Sequence, residues 1–189
     1  RSTVFGRAGN DAIDGGSEDD RLFGGAGNDS INGGSENDRI AGNAGDDILT
    51  GGSGDDRIFA SSGTDILDGG SGDDRLFGGD DRDILIGNMG DDFLNGGAGD
   101  DVLMGVTGRD VLVGGEGADL FVYGVGDGGA RNNVAVGNDL IRDFEVGIDK
   151  IGLVEGELTF ADITITQSGS RTLLRSEERR VGKECRSRW

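Results

Sequence analysis

The sequence predicts an all-β solenoid, a flattened roll whose two sheets are built from short stacked strands. Three observations predict it. A nine-residue unit repeats over residues 6–122 with no insertion or deletion, thirteen copies in 117 residues. The eighth residue of every copy is large and apolar. A second period of eighteen runs through the flanking positions, so that alternate copies belong to different sheets. A fixed short repeat marks a stacked, quasi-one-dimensional architecture, and here it overrides the disorder that so glycine-rich a composition would otherwise suggest.

In chain order, residues 1–5 read as the end of an earlier repeat, with Val4 on the apolar position and Ser2 where an acid is expected. The copies then begin at Gly6, Gly15, Gly24, Gly33, Gly42, Gly51, Ala60, Gly69, Gly78, Gly87, Gly96, Gly105 and Gly114. The sixth residue is aspartate in all of them: Asp11, Asp20, Asp29, Asp38, Asp47, Asp56, Asp65, Asp74, Asp83, Asp92, Asp101, Asp110 and Asp119. The eighth runs from Ile13 and Leu22 to Leu112 and Phe121. The last three residues of each copy are expected to form a short strand with the middle side chain inward, because side chains alternate across a strand. The glycine-rich first six are expected to form the turn, where glycine reaches backbone conformations closed to other residues. Nine residues then make half a coil. Arg21, Arg39, Arg57 and Arg75 recur at eighteen, as do Phe23, Phe59 and Phe77, with Ala41 interrupting the second column.

The chain holds 40 glycines, no proline, no histidine, and 37 acidic against 18 basic residues. Within 6–122 there are 26 acidic and 7 basic side chains, a net charge of −19. Such a surface repels nucleic acid and anionic membranes and attracts cations. No apolar run is long enough to span a bilayer and no secretory leader is visible, although the chain opens at Arg1 rather than methionine. Cys185 is the single cysteine, so no internal disulfide forms. The sixth-position aspartates of successive coils would stand about 4.8 Å apart, where like charges repel by about 3.5 kcal/mol at an effective dielectric near 20. A core one residue thick per copy does not offset that repulsion; a hard divalent cation between the carboxylates does. Calcium suits a flexible cage of carboxylates and backbone carbonyls better than magnesium, which demands a compact octahedron and keeps its waters. Zinc and copper find neither histidine nor, within the array, cysteine.

The unit Gly-Gly-x-Gly-x-Asp-x-apolar-x resembles the nonapeptide of the RTX (repeats-in-toxin), or hemolysin-type, calcium-binding proteins; the pattern is one of the known short-period β-helix repeats. The resemblance implies a parallel β-roll, a right-handed β-helix or solenoid of two short-stranded parallel sheets, with calcium held between turns one full coil apart. It further implies that each ion takes carbonyls from positions two and four plus the aspartate of one copy. The copy eighteen residues on supplies carbonyls from positions one and three and its own aspartate. Carried onto this chain, Gly52, Gly54 and Asp56 share an ion with Gly69, Ser71 and Asp74, and Gly79, Asp81 and Asp83 with Gly96, Ala98 and Asp101. Gly16, Gly25, Gly27, Gly34, Gly45, Gly70, Gly72, Gly90, Gly97 and Gly99 are carbonyl donors on the same pattern. Thirteen copies give up to eleven such pairs of aspartates eighteen residues apart. Glu18, Glu36 and Asp81 replace the fourth-position glycine, and Ala60 and Ser61 the leading pair; ligation through carbonyls survives there if the turn geometry does.

In the later copies the flanking positions turn apolar: Ile84, Ile86, Val102, Met104, Val111, Val113, Leu120 and Val122. Exposed apolar strands invite aggregation, so a covered face is expected, with residues 123–174 supplying part of the cover as a small β C-terminal cap. There, Asp139–Phe144 and Gly147–Ile151 read as strands separated by a turn, and Phe160–Leu174 as one or two more. This segment resembles the cap that follows the repeats in serralysin-type metalloproteases, with Asp139, Asp143 and Asp149 either ligating a terminal ion or filling ordinary turn and surface roles. Residues 175–189 break the composition and resemble the in-frame translation of a short-read sequencing adapter, so they are set aside as a non-native tail. On that reading the native chain continues past Leu174, where the family carries its export signal.

Functionally, these features point to calcium binding, and the resemblance implies a secreted, extracellular C-terminal module of a bacterial protein, exported by a type I secretion system and attached to an upstream domain. A structural spacer in an adhesin and the non-catalytic part of a serralysin-type protease are the alternatives. No enzyme is expected in this stretch: without histidine there is neither a His-Glu-x-x-His zinc site nor a Ser-His-Asp triad. An ice-binding roll would need regular outward Thr or Asn rows, and the sequence has none.

Overall fold

The computed structural model describes residues 1–123, 139–145, 148–153, 163–168 and 171–176. Thirteen strands of six residues follow one another at the nine-residue period: β1 Thr3–Ala8, β2 Ala12–Ser17, β3 Arg21–Ala26, β4 Ser30–Ser35, β5 Arg39–Ala44, β6 Ile48–Ser53, β7 Arg57–Ser62, β8 Ile66–Ser71, β9 Arg75–Asp80, β10 Ile84–Met89, β11 Phe93–Ala98, β12 Val102–Thr107 and β13 Val111–Glu116. Five more complete the described residues: β14 Leu120–Tyr123, β15 Leu140–Ile141, β16 Lys150–Leu153, β17 Ile163–Ser168 and β18 Arg171–Ser176. Odd strands form one sheet in the order β1-β3-β5-β7-β9-β11-β13-β15-β18-β17, and even strands the other, β16-β14-β12-β10-β8-β6-β4-β2. Pairing is parallel from β1 to β16 with an offset of eighteen through the array, as in Leu22↔Ile40 and Leu67↔Leu85. The protein is thus an all-β parallel solenoid of about seven turns. Among the described residues there is no helix, and so none long and apolar enough to cross a membrane.

The strands are twice as long as the period alone predicts. Each takes positions seven to nine of one copy and one to three of the next, leaving only positions four to six for the turn. The glycine at position one therefore lies inside a strand, with its missing side chain facing inward. The reason is space. A Cβ on Gly51 would fall within 3.0 Å of both Asp56 Oδ2 and the Gly69 carbonyl. Backbone conformation matters instead at positions two and four, which have positive φ in every copy, as at Gly70 (105°) and Gly72 (124°). Glu18, Glu36, Asp81 and Ser61 hold the same conformation, at 83°, 74°, 72° and 97°, so the departures from glycine leave the turn intact.

The core is a double file of eighth-position side chains, from Ile13 and Leu22 to Leu112 and Phe121, joined by Ala60 and Ile141. Val4 packs against it in register with Leu22. Position seven is exposed from Ala12 to Arg75 and half-buried from Ile84 to Leu120, where the apolar residues stand.

The described residues of the C-terminal segment continue both sheets. β15 and β16 extend the two sheets in parallel, Leu140 pairing with Val111 and Lys150 with Leu120. The described parts of 139–153 lengthen the roll by one coil instead of lying across its face. Glu145 turns the chain back by accepting the amides of Ile148 and Asp149. The odd sheet then ends in a hairpin, β18 antiparallel to β15 and β17 antiparallel to β18. Arg175 and Ser176 belong to β18, whereas 177–189, with Cys185, lie outside the described residues. The remainder of the expected cover, residues 124–138 and 154–162, lies outside them as well.

Candidate metal centre

Every turn carries its sixth-position aspartate inward. From Asp20 to Asp119 these side chains are buried, Asp65 and Asp83 completely. One oxygen of each has a fixed partner. Asp56 donates its backbone N–H to Asp74 Oδ1 at 2.8 Å, Asp74 to Asp92 Oδ1 at 2.8 Å, and Asp83 to Asp101 Oδ1 at 2.8 Å. Repeated coil after coil, these bonds form two continuous ladders, one along each rim of the roll. The other oxygen, Oδ2, is buried without a hydrogen-bond partner in all thirteen aspartates. A buried carboxylate oxygen left unsatisfied costs several kcal/mol unless something positive meets it.

Carbonyls gather where those oxygens point. Asp56 Oδ2 and the Gly69 carbonyl flank the same spot beside Gly51, and Asp83 Oδ2 and the Gly96 carbonyl flank the equivalent spot beside Gly78. The Gly52 and Gly54 carbonyls face Gly70 and Gly72 of the next coil so closely that a Cβ there would overlap them; the Gly79 and Asp81 carbonyls face Gly97 and Gly99 in the same way. Asp56 Oδ2 thus lies beside a position-one carbonyl of the next coil, while the position-two and position-four carbonyls lie against the next coil's backbone. At position three the Ser71 carbonyl accepts the Gly54 N–H at 2.8 Å, which leaves its second lone pair. Ala60, where a methyl replaces hydrogen at position one, remains fully buried and leaves Asp65 Oδ2 unpartnered like the rest.

Electrostatics follow from this packing. Burial, opposed by the N–H bond to Asp56 and reinforced by neighbouring carboxylates, pushes Asp74 up to about 7. Asp83 and Asp92 are pushed up to about 7, and Asp56, Asp65, Asp110 and Asp119 to about 6, again chiefly by burial. Among the described residues no three or more His, Cys, Asp or Glu side chains converge into a cage. A cation held here would take few carboxylates and fill its shell with backbone carbonyls, an all-oxygen set that suits calcium and poorly suits zinc or copper.

Two features lie beyond the sequence-predicted set. The first is a second ladder at position five, on the solvent side: Asn28 Oδ1 accepts from Asp46 N–H, Asp55 Oδ1 from Asp73 N–H and Asp73 Oδ1 from Asp91 N–H, at 3.1, 3.0 and 2.9 Å. The recurrence of Asn and Asp at position five was the available signal. The second is the end of the inner ladders. Asp139 Oδ1 accepts from Asp110 N–H at 2.9 Å and Asp149 Oδ1 from Asp119 N–H at 3.1 Å, so both stand where a sixth-position aspartate would. The Asp-x-apolar triplets at Asp139–Ile141 and Asp149–Ile151 carry that signal, but a spacing that departs from nine hides it. Asp149 also accepts the Glu145 N–H at 2.7 Å, and Asp143 takes the amides of Gly114 and Gly115 at 3.0 and 2.9 Å. These two carboxylates are hydrogen-bond caps with both oxygens engaged.

A model of the RTX calcium-binding nonapeptide repeat matches residues 5–40, 32–67, 59–94, 68–103 and 95–129. No curated protein matches the chain. With two thirds of its residues covered in overlapping registers, and with each repeat folded into one strand and one aspartate-bearing turn, the chain belongs to the RTX calcium-binding nonapeptide repeat family.

Proposed function

We propose that this chain is a calcium-binding β-roll module that folds on calcium outside the cell, as part of a secreted bacterial protein. The observation that carries the reading is the set of thirteen buried, unpartnered Oδ2 atoms, nine of them beside a carbonyl of the adjoining coil. Asp56 and Asp74 would hold one ion with the carbonyls of Gly52, Gly54 and Gly69; Asp83 and Asp101 another with those of Gly79, Asp81 and Gly96. Bound calcium would supply the positive charge that these carboxylates need to remain ionised in a dry turn. The residues do the rest: Oδ1 sets register through the amide one coil back, and the eighth-position side chain closes the core.

Inside a cell, calcium is too scarce for sites with dissociation constants of about 0.1–1 mM, so the acidic array stays unfolded and can be threaded through a type I export system. Outside, each site filled at tenfold excess contributes about 1.4 kcal/mol, and sites that share aspartates add together. The resemblance of 139–151 to the serralysin-type cap favours an exported parent, with any chemistry located in an upstream domain. Circular dichroism tests the folding step. Strand signal should be lost in EGTA and regained at about 5 mM calcium; equal signal in both would defeat it.

A further inference from the structure

The cations of the array are segregated in a way its acids are not. Arg21, Arg39, Arg57 and Arg75 open β3, β5, β7 and β9 and stand in register, each the pairing partner of the next. All four are exposed. Among the described residues the only ion pairs join the amino terminus to Glu18 and Asp20, and Arg109 to Asp91, so these four arginines have no carboxylate partner. The even sheet has Ala12, Ser30, Ile48, Ile66 and Ile84 at the equivalent position, with no cation.

The arginine stripe has a neighbour of opposite sign. Two or three residues before the arginine-bearing strands begin, the same turns present the exposed Asp19, Glu36, Asp55 and Asp73, and the next turn of that rim presents Asp91. Both stripes run along the roll with the coil's rise, about 4.8 Å. Like charges at that spacing repel along each stripe. One of the arginines is also held by the aromatic column: Phe59 and Phe77 stack with ring centroids 4.9 Å apart and planes 3° from parallel, and the Arg39 guanidinium lies over the Phe59 ring at 5.1 Å, on the rung where Ala41 interrupts the column.

Adjacent parallel stripes of opposite charge are self-complementary. A two-fold axis parallel to the roll, placed between the stripes in the plane of contact, exchanges them and sets each arginine of one copy against the acid of the same coil in the other. We propose that this rim and face form the interface of a parallel, two-fold symmetric dimer of the calcium-loaded chain. Such a contact is isologous and closed, so it ends at two copies. A simple polyanion fits less well, because an anion lying on the arginines would also meet the acidic rim beside them. The proposal rests on the calcium reading: the ion-free array carries −19 and repels its copy, whereas eleven dications would bring it to +3.

Sedimentation velocity in calcium, with circular dichroism on the same samples, tests it. The full chain should sediment as a dimer in about 0.1 M salt and loosen toward 1 M, where screening is about threefold shorter in range. Arg57→Glu with Arg75→Glu should weaken the dimer about tenfold or more. Adding Asp55→Arg and Asp73→Arg to that variant exchanges the stripes and should restore it; Arg82 and Arg109 already occupy position five, so arginine is tolerated there. A monomer with full strand signal, a dimer indifferent to the arginine reversal, a fourfold exchange that fails to restore association, or a monomer that instead captures a polyuronate would each overturn the dimer. The two proposals fail separately, because loss of the strand response to calcium sinks the folding step and leaves the sedimentation result to be read by itself.

Discussion

Each turn of the roll carries two consecutive polar positions that form ladders, and the two ladders behave oppositely. At position six the aspartate faces inward, one oxygen on a backbone amide and the other buried without a partner, as at Asp74. At position five the side chain faces water, and its oxygen accepts an amide from the following coil, as at Asp73. Burial pushes Asp74, Asp83 and Asp92 upward, whereas Arg109, bonded to Asp91 at 2.7 and 3.1 Å, holds that outer carboxyl below its usual range. The residue type is the same and the hydrogen bond is nearly the same. What differs is access to water, and that difference makes one ladder a demand for cations and the other a surface brace.

The largest test of this contrast exchanges one carboxylate in each ladder. Asp74→Asn keeps an acceptor for its amide but removes the charge from the two proposed ion sites that share it, an expected loss of about 2.8 kcal/mol at tenfold calcium excess. Asp73→Asn keeps the outer bond and should change stability by no more than about 0.5 kcal/mol. Calcium titrations followed by circular dichroism would show a raised midpoint for the first and an unmoved one for the second; equal shifts would erase the distinction.

A second test is pH. Burial pushes Asp74, Asp83 and Asp92 up to about 7 in the ion-free fold, against 3.8 when free. Between about pH 4 and pH 7 the folded chain therefore binds more protons than the unfolded one, and its stability falls as pH rises through that window. In EGTA, strand signal should grow on acidification from about pH 7.5 to about pH 5. In calcium the same change should raise the midpoint, since protons and calcium compete for the same oxygens. A pH-independent signal in EGTA would show that the inner ladder is not the obstacle to folding. The smallest effect concerns a gap in the outer ladder at Arg82, a side chain with no acceptor for the amide of the next coil. Arg82→Asn should supply one and raise thermal stability by about 0.5 kcal/mol.

Much of this was legible in the chain. The constant aspartate and apolar residue at fixed spacing identify which side chain turns in and which fills the core, because only stacked identical units make a short period useful. Three things were not. Strand length is the first, since glycine at position one reads as a turn residue; glycine stands there inside a strand because Asp56 Oδ2 and a neighbouring carbonyl occupy the space beside Gly51. The outer ladder was hidden because its bonds join residues eighteen apart, as from Asp91 N–H to Asp73. Asp139 and Asp149 were hidden because they lie 29 and 30 residues beyond Asp110 and Asp119, off the array's period.

By itself the sequence determined the period, the two-sheet solenoid, the inward aspartate file and the preference for a hard oxygen-seeking cation. These follow from local alternation and from like charges repeated at a fixed interval. Only the tertiary structure decided which carboxylate oxygen is spent on register and which is buried without a partner, where the file ends, and that the arginines and the acidic rim run side by side. Those outcomes depend on which coil lies next to which, and a chain read one residue after another does not carry that neighbourhood.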